Sequence, residues 1–132
     1  GVSFYHDDIL ELATENPIFD YSKRQLIDEG YEDERIYEYK FYPTNVELVE
    51  EPDNPHDANA IKVIIDGVHV GYIKSGSCSR VKNLLRSGKV VSIDADIYGG
   101  KYKVLYQDDD DKYLIETNET EIGAKVSILR KK

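Results

Sequence analysis

The sequence predicts a mainly β protein with a few helices, an α+β fold. In this fold a β-barrel of six or more strands carries one inserted helix and an N-terminal helical extension. Three observations predict it. From Ile36 onward, side chains alternate with the period of two that is typical of strands. Asp66-Gly67 separates two apolar runs in the pattern of a two-residue hairpin turn. Between Ser75 and Gly88 apolar residues recur at helical spacing, so a helix interrupts the strands.

Residues 1–35 are predicted to form an acidic helical extension to a domain at residues 36–132. The first predicted helix has a short apolar stripe at helical spacing, formed by Ile9, Leu10, Leu12 and Ala13. A second short helix is predicted from Ser22, as the N-cap, to Gly30, just past its end. The role of the extension stays open between a lid over a binding surface and a dimerising arm.

Seven or eight strands are predicted in the domain. Alternating or β-branched runs place them at 36–42, 46–51, 60–65, 68–73, 90–97, 101–106, 112–116 and 124–129. Asp66-Gly67 pairs the third with the fourth in antiparallel fashion, because both turn positions of this hairpin type need positive φ. Gly99-Gly100 is predicted to turn the fifth strand into the sixth. The four aspartates at 108–111 are predicted to form an acidic loop.

The inserted helix is predicted to begin at Ser75 or Ser77, as N-cap, and to end before Gly88. Its apolar face comprises Cys78, Val81, Leu84 and Leu85. Its flanks and outer face carry three bases, Arg80, Lys82 and Arg86. Two interpretations of these bases stay open: a solvated helix surface, or a surface that steers phosphates.

The acidic charge of the chain is unevenly distributed. The formal net charge is −9, yet residues 1–35 hold ten acids and three bases, whereas residues 40–107 hold eight acids and nine bases. The segment from Lys74 to Lys89 contains five bases and no acid. Because affinity for phosphates comes from Lys and Arg, the overall acidity does not exclude a nucleic-acid partner for the central part.

Several classes of function find no support in the sequence. A glycine-rich phosphate loop, a nucleophile elbow and a complete catalytic set are all missing, so we expect no enzymatic activity. His6, His56 and His69 lack zinc-ligand spacing, and the acids Asp94 and Asp96 fit the outer face of a strand better than a calcium loop. We expect no metal and no cofactor.

Cysteine content and hydropathy indicate the cellular compartment in which the protein resides. Cys78 is the single cysteine, so no intramolecular disulfide can form, and its place on the apolar helix face predicts a small core residue. No apolar run approaches the length of roughly 20 residues that a membrane span needs. We expect a cytoplasmic protein without a membrane partner.

The polar stretch at residues 52–57 has more stiffening and hydrogen-bonding residues than a simple connection between strands needs. Two prolines, Pro52 and Pro55, stiffen it, and Asn54, His56 and Asp57 can all form hydrogen bonds. A stiff loop loses little conformational entropy when it binds a ligand. The alternative is an Asx-type turn in which Asn54 and Asp57 cap their own backbone.

This region resembles the HIRAN domain, a small module found at the N-terminus of SWI/SNF-type helicases and also as a stand-alone protein in bacteria and phages. The resemblance rests on Glu51-Pro52, on an N-P-x-D-x-N-A-I run from Asn54 to Ile61, and on Gly71-Tyr72-Ile73. It covers about residues 36–106. It implies an OB-like β-barrel which, in the helicase members, binds single-stranded DNA at a free 3′ end.

The resemblance also implies a set of site residues. The DNA-binding positions that it assigns are Lys40, Phe41, Asn54, His56, Asp57, Tyr72, Lys74 and Tyr102. In this hypothesis Asp57 accepts a hydrogen bond from the terminal 3′-hydroxyl, while Phe41 and His56 stack on the last bases. Three positions depart from the family pattern: Lys40 stands where the DNA-binding members have arginine, His56 where they have tyrosine, and Tyr72 where histidine can occur.

The resulting prediction is a nucleic-acid-binding module for single-stranded DNA with a free 3′-hydroxyl, accessory to DNA repair or replication. One alternative is a protein-interaction module. Another is the targeting domain of a helicase or nuclease encoded separately. The oligomeric state stays open.

Overall fold

The computed structural model describes residues 2–131, which contain nine strands, three α-helices and two short 3₁₀ helices. The 3₁₀ helices are Leu10–Leu12 and Pro17–Asp20. The α-helices are α1 (His6–Ile9), α2 (Lys23–Asp28) and α3 (Ser75–Arg86). The strands are β1 (Val2–Phe4), β2 (Ala13–Glu15), β3 (Ile36–Tyr37), β4 (Tyr39–Phe41), β5 (Val46–Glu50), β6 (Ile61–Ile65), β7 (Val68–Ile73), β8 (Val90–Gln107) and β9 (Tyr113–Arg130).

The chain divides into two compact units. The first comprises Gly1–Leu12, Phe41–Tyr98 and Gly123–Lys132, and the second comprises Ala13–Lys40 and Gly99–Ile122. This division differs from the predicted boundary after residue 35, since each unit contains part of the N-terminal 35 residues. Strand β1 pairs with β7 and so adds to the sheet of the first unit, while the boundary between an extension and a domain after residue 35 stays a prediction.

The first unit is built on an antiparallel sheet in the order β1-β7-β6-β5. The predicted hairpin between β6 and β7 is confirmed, with Asp66 at φ 49° and Gly67 at φ 83°. The Asp66 carboxylate accepts hydrogen bonds from Thr44 and from the Asn45 backbone, which ties the turn to the entry of β5 and lowers the pKa of Asp66. The inward side chains of β6 are fully buried, namely Ile61, Val63 and Ile65.

Helix α3 follows β7 as predicted and packs Cys78 and Val81 into the first unit. Its N-cap is Lys74 rather than either predicted serine, because the chain is still extended at Lys74 (φ −59°, ψ 139°) and already helical at Ser75. No side-chain hydrogen bond caps this end. Gly88 lies just past the helix with φ 73°, the left-handed conformation expected there.

The second unit has a small core of its own around Leu26, Ile36 and Leu105, all of them buried. The predicted helix after Ser22 is confirmed as α2, and its start is a capping box in which Ser22 and Gln25 bond each other's backbone N–H. Strand β3 pairs antiparallel with β8, which places Tyr37 opposite Tyr102. Strand β8 lies between β3 and β9 in this sheet.

The predicted closed barrel is wrong for the described residues, where the strands lie in open sheets of four, two and three strands. Gly99-Gly100 does not turn the chain, and β8 runs through it as one strand. Both glycines have positive φ, and a Cβ on Gly99 would clash with the Glu121 carbonyl of β9. These glycines therefore permit the close approach of two long strands rather than a hairpin turn.

Two further strand predictions change for related reasons. The predicted strand at 36–42 is divided at Glu38 into β3 and β4, which join different sheets. The strands predicted at 112–116 and 124–129 belong to the single strand β9, which is the neighbour of β8 in its sheet. The acidic turn at 108–111 is confirmed as the connection between β8 and β9.

Among the helices within residues 2–131, none has both the length and the apolar character to cross a membrane.

Candidate nucleic-acid interface

The loop between β5 and β6 is held together by the side chain of Asn54. Its Oδ1 accepts hydrogen bonds from the backbone N–H groups of His56 (2.9 Å) and Asp57 (3.0 Å), and its Nδ2 donates to Glu51 Oε1 (2.7 Å). Asp57 Oδ1 in turn accepts from the Asn59 N–H at 2.9 Å. The Asx-type interpretation of this loop is therefore observed. It leaves the loop in one shape, with His56 exposed and Asp57 half-buried.

Glu51 links this loop to the sheet, a role that was not predicted from its position in the sequence. Its Oε1 also accepts from the Tyr72 hydroxyl (3.2 Å), while Lys62 Nζ lies 3.0 Å from its Oε2. Only 19% of the Glu51 side chain is exposed. The signal that points to this contact is strand register, because Lys62 lies opposite Tyr72 across the β6-β7 pair.

Tyr72 belongs to a cluster of three aromatic rings on the first unit. Its ring makes an edge contact with His69 (centroids 5.0 Å apart), and Tyr5 makes edge contacts with both (5.6 Å to His69 and 6.3 Å to Tyr72). His69 and Tyr72 are three residues apart and would lie on opposite faces of a regular strand. A β-bulge changes this: Val63 pairs with Gly71 and Ile64 with His69, so Val70 is the extra residue.

Glu50 connects the end of β5 to α3 through two bases. Arg86 Nη2 lies 2.8 Å from Glu50 Oε1, and Lys82 Nζ lies 3.7 Å from the same oxygen. Lys82 also donates to Asn59 Oδ1 at 3.2 Å, which attaches the loop to the helix. The hydrogen bond from Arg86 is the main cause that lowers the pKa of the Glu50 carboxyl.

Three of the predicted residues in the first unit, Asn54, Asp57 and Tyr72, are brought into one hydrogen-bonded network through Glu51. Phe41 is half-buried at the end of β4, and Lys74 is exposed at the start of α3. Within residues 2–131, the Phe41 ring makes no aromatic contact with His56 or Tyr72. The stacking roles of Phe41 and His56 stay predictions.

Lys40 and Tyr102 belong to the second unit. Lys40 is exposed in β4. Tyr102 is only 8% exposed: its ring packs against Tyr37 (centroids 5.4 Å apart), and the Arg35 guanidinium lies 4.5 Å from its centre. Tyr102 is thus already stacked within its own unit, and its role in binding stays a prediction.

Cys78 is a core residue, as its helical position predicts, with 2% of its surface exposed. Its thiol contacts the carbonyl oxygens of Ile73 and Lys74. Burial raises the pKa of the Cys78 thiol, and the nearby Asp57 carboxylate raises it further. The thiol therefore stays protonated near neutral pH and contributes packing.

The comparison with protein families identifies one domain. The family described as "HIRAN domain" matches residues 30–107, which is more than half of the 132-residue chain and includes the Asn54 loop, the β6-β7 hairpin and α3. No curated protein and no solved structure matches the chain. The resemblance stated from the loop and the Gly71-Tyr72-Ile73 element is confirmed, and the chain belongs to the HIRAN domain family.

Proposed function

We propose that this protein binds single-stranded DNA at a free 3′-hydroxyl end, through the loop between β5 and β6. Membership of the HIRAN family supports a nucleic-acid-binding module. We further propose that it acts as an accessory to DNA repair or replication in the cytoplasm, together with a helicase or nuclease partner. In this proposal the chain has no catalytic activity of its own.

The observation that carries the proposal is the fixed shape of the loop. Asn54 bonds two successive backbone N–H groups, so little conformational entropy is lost when a strand end binds. The same bonds fix the backbone at His56, whose side chain is exposed, and at Asp57, its neighbour in the chain. A ring and an acceptor side by side fit a terminal nucleotide, which offers a base to stack and a hydroxyl to donate.

Asp57 has acceptor capacity beyond its local bond. A carboxylate has about four lone-pair sites, and the Asn59 N–H takes one of them. In the proposal a 3′-hydroxyl donates to this carboxylate. A 3′-phosphate would instead place two like charges in contact, which costs several kcal/mol when both are desolvated. Selectivity for the free end follows from this repulsion.

The test compares oligonucleotides of one sequence that end in a 3′-hydroxyl or a 3′-phosphate, together with a blunt duplex, by fluorescence polarisation. Because Asp57 is only half-buried, solvent screens part of its repulsion of a 3′-phosphate, and we expect the 3′-hydroxyl strand to bind about tenfold more tightly than the 3′-phosphate strand. Asp57→Asn keeps an oxygen for the Asn59 N–H but removes the charge, so the ratio should fall towards one.

Asp53→Asn is the matched control, because Asp53 is an exposed acid in the same loop and the charge change is identical. The ratio should stay at its wild-type value in this variant. A wild-type protein that does not distinguish the two ends would refute end recognition. Absence of binding to every oligonucleotide at low salt would favour the protein-interaction alternative.

A further inference from the structure

A second surface of the first unit lies between α3 and the C-terminal end of β9. The two elements line an open groove with a volume of about 1100 Å³, which we call the α3-β9 groove. On the β9 side its apolar floor is formed by Val126 and Ile128. On the helix side it follows one face from Gly76 to Ser87, a length of roughly 16 Å at 1.5 Å per residue.

The groove is positively charged. Four of its lining residues are bases and none of the lining residues is acidic: Arg80, Lys89, Arg130 and Lys131. All four are exposed, and within residues 2–131 no carboxylate lies within ion-pair distance of any of them. This contrasts with the first unit as a whole, whose ten bases and eleven acids give a net charge of −1. These four cations therefore lie together without a carboxylate partner among the residues that the structure describes.

The neutral residues of the groove supply hydrogen-bond donors. Ser79 and Asn83 project from the same helix face as Arg80, whereas the Ser87 hydroxyl already donates to the Leu84 carbonyl oxygen at 2.6 Å. Arg, Lys, Ser and Asn are the side chains that most often contact phosphate oxygens in nucleic-acid complexes. No aromatic residue is among those that line the groove, so it offers no platform on which a base can stack.

We propose that the α3-β9 groove binds the sugar-phosphate backbone of nucleic acid, without reading bases and without needing a strand end. The arginine and lysine side chains neutralise successive phosphates, and the Ser79 and Asn83 side chains donate to phosphate oxygens. The groove thus adds a second, end-independent contact to the chain. It involves none of the residues assigned above to recognition of the 3′ terminus.

An acidic peptide is the competing occupant, because a floor of Val126 and Ile128 also suits apolar side chains. Two features favour the phosphate backbone. The donors Ser79 and Asn83 lie on either side of Arg80 along one helix face, and Lys89, Arg130 and Lys131 add further cations around the groove, which suits a ligand with charged, oxygen-rich groups. The chain also belongs to a family whose members are nucleic-acid-binding modules.

The test uses a closed circle of single-stranded DNA, which has no 3′ end, as a fluorescent probe over a series of salt concentrations. The variant is Arg80→Glu/Arg130→Glu, which reverses two exposed charges on opposite walls of the groove. We expect affinity for the circle to fall at least about tenfold at low salt, with a salt dependence less steep by about 0.7 for each phosphate that the variant no longer neutralises. The milder variant Arg80→Gln/Arg130→Gln should give a smaller decrease in the same direction.

Lys125→Glu/Lys112→Glu is the matched control, because it reverses two exposed charges that do not line the groove. Lys125 lies on β9 five residues before Arg130, on the opposite face of the strand, and Lys112 lies in the turn before β9. The affinity of this variant for the circle should fall by less than about threefold. An equal decrease in the control and in the groove variant would mean that net charge alone governs binding, and would overturn the proposal.

Two further outcomes would overturn it. Either the wild-type chain does not bind the circle at low salt, or polyglutamate binds more tightly than DNA and this binding disappears in the groove variant. The second outcome would assign the groove to an acidic protein partner. Neither outcome depends on the ratio between 3′-hydroxyl and 3′-phosphate strands, so the groove and the loop are tested separately.

Discussion

Both flanks of α3 carry basic side chains, but the two flanks differ in whether a carboxylate neutralises them. On the flank that faces the Asn54 loop, Lys82 and Arg86 both contact Glu50. On the flank that lines the α3-β9 groove, Arg80 has no carboxylate within ion-pair distance in residues 2–131. The loop flank is a set of paired groups with a fixed geometry. On the groove flank Arg80 lies near Lys89, Arg130 and Lys131, and none of these four cations has a carboxylate partner in the described part of the chain.

This difference shows what a basic segment in a sequence does and does not establish. The acid-free run from Lys74 to Lys89 predicts one continuous positive stripe, but Glu50 comes from a strand more than twenty residues earlier and neutralises part of it. A rigid, neutralised flank is suited to selecting a particular group by hydrogen bonds. An unpaired flank is suited to attracting any polyanion.

Glu51→Ala should have the largest effect, and it should act on the loop flank alone. It removes the acceptor for Asn54 Nδ2 and the Tyr72 hydroxyl together with the partner of Lys62. Because three partly buried donors are deprived of an acceptor at once, we expect the free energy of unfolding to fall by about 1–3 kcal/mol. Chemical denaturation followed by circular dichroism measures this change.

Glu47→Ala is the control for Glu51→Ala, since Glu47 is an exposed glutamate of β5. It should change the free energy of unfolding by less than about 0.5 kcal/mol. At temperatures where both variants are folded, binding to the DNA circle should stay near the wild-type value. Failure of folded Glu51→Ala to bind the circle would show that the two flanks are not independent.

Asn54→Ala should have an intermediate effect, because it removes two side-chain to backbone bonds that resemble a helix cap. Such changes cost about 0.5–2 kcal/mol. We expect a preferential decrease in protection at His56 and Asp57 in amide hydrogen exchange, since their N–H groups are the ones released. Selectivity for a 3′-hydroxyl should fall as well, whereas affinity for the circle should not.

Asn59→Ala is the matched control in the same loop, because the Asn59 side chain contacts only Lys82 among the described residues. It should leave the protection of the His56 and Asp57 amides unchanged. If this protection falls equally in both variants, the loop is not organised by Asn54.

Local signals in the sequence account for the parts of the fold that were predicted. The Asp66-Gly67 hairpin and α3 each depend on residues close in sequence, a turn pair with positive φ and an apolar helical face. Gly99-Gly100 was misread because positive φ serves a turn and a close approach of strands equally well. Which of the two applies depends on Glu121 in β9, a partner about twenty residues away that local pattern does not reveal.

The residues of the candidate site also fall into two groups, those that local sequence reveals and those that depend on distant partners. Asn54 and Asp57 could be identified from their motif, and their side-chain to backbone bonds follow from the chemistry of turns. Glu51 was missed because two of its three partners, Lys62 and Tyr72, come from other strands. The neighbouring rings of His69 and Tyr72 were missed because they depend on a bulge at Val70, and the alternation of the sequence gives no sign of an inserted residue.

Glu50→Gln should have the smallest effect, and it tests whether the loop flank can be made to resemble the groove flank. The substitution leaves Lys82 and Arg86 without a carboxylate partner, so this side of α3 becomes more positive. We expect affinity for the 3′-hydroxyl strand to rise about two- to fivefold at low salt and the gain to vanish at high salt, because exposed charges are screened. Glu47→Gln, with the same charge change on β5, should give a smaller gain.

The same pair has a defined pH dependence. Because Arg86 lowers the pKa of the Glu50 carboxyl, the stabilisation from this contact is fully present above the ordinary pKa of a glutamate and disappears as the pH falls through the lowered value. Wild type and Glu50→Gln should therefore differ in thermal stability at neutral pH and converge in acid, as measured by Tm between neutral and acidic pH. A Tm difference that stays constant with pH would mean that the carboxylate charge of Glu50 does not hold Lys82 and Arg86, and that the contrast between the two flanks has another cause.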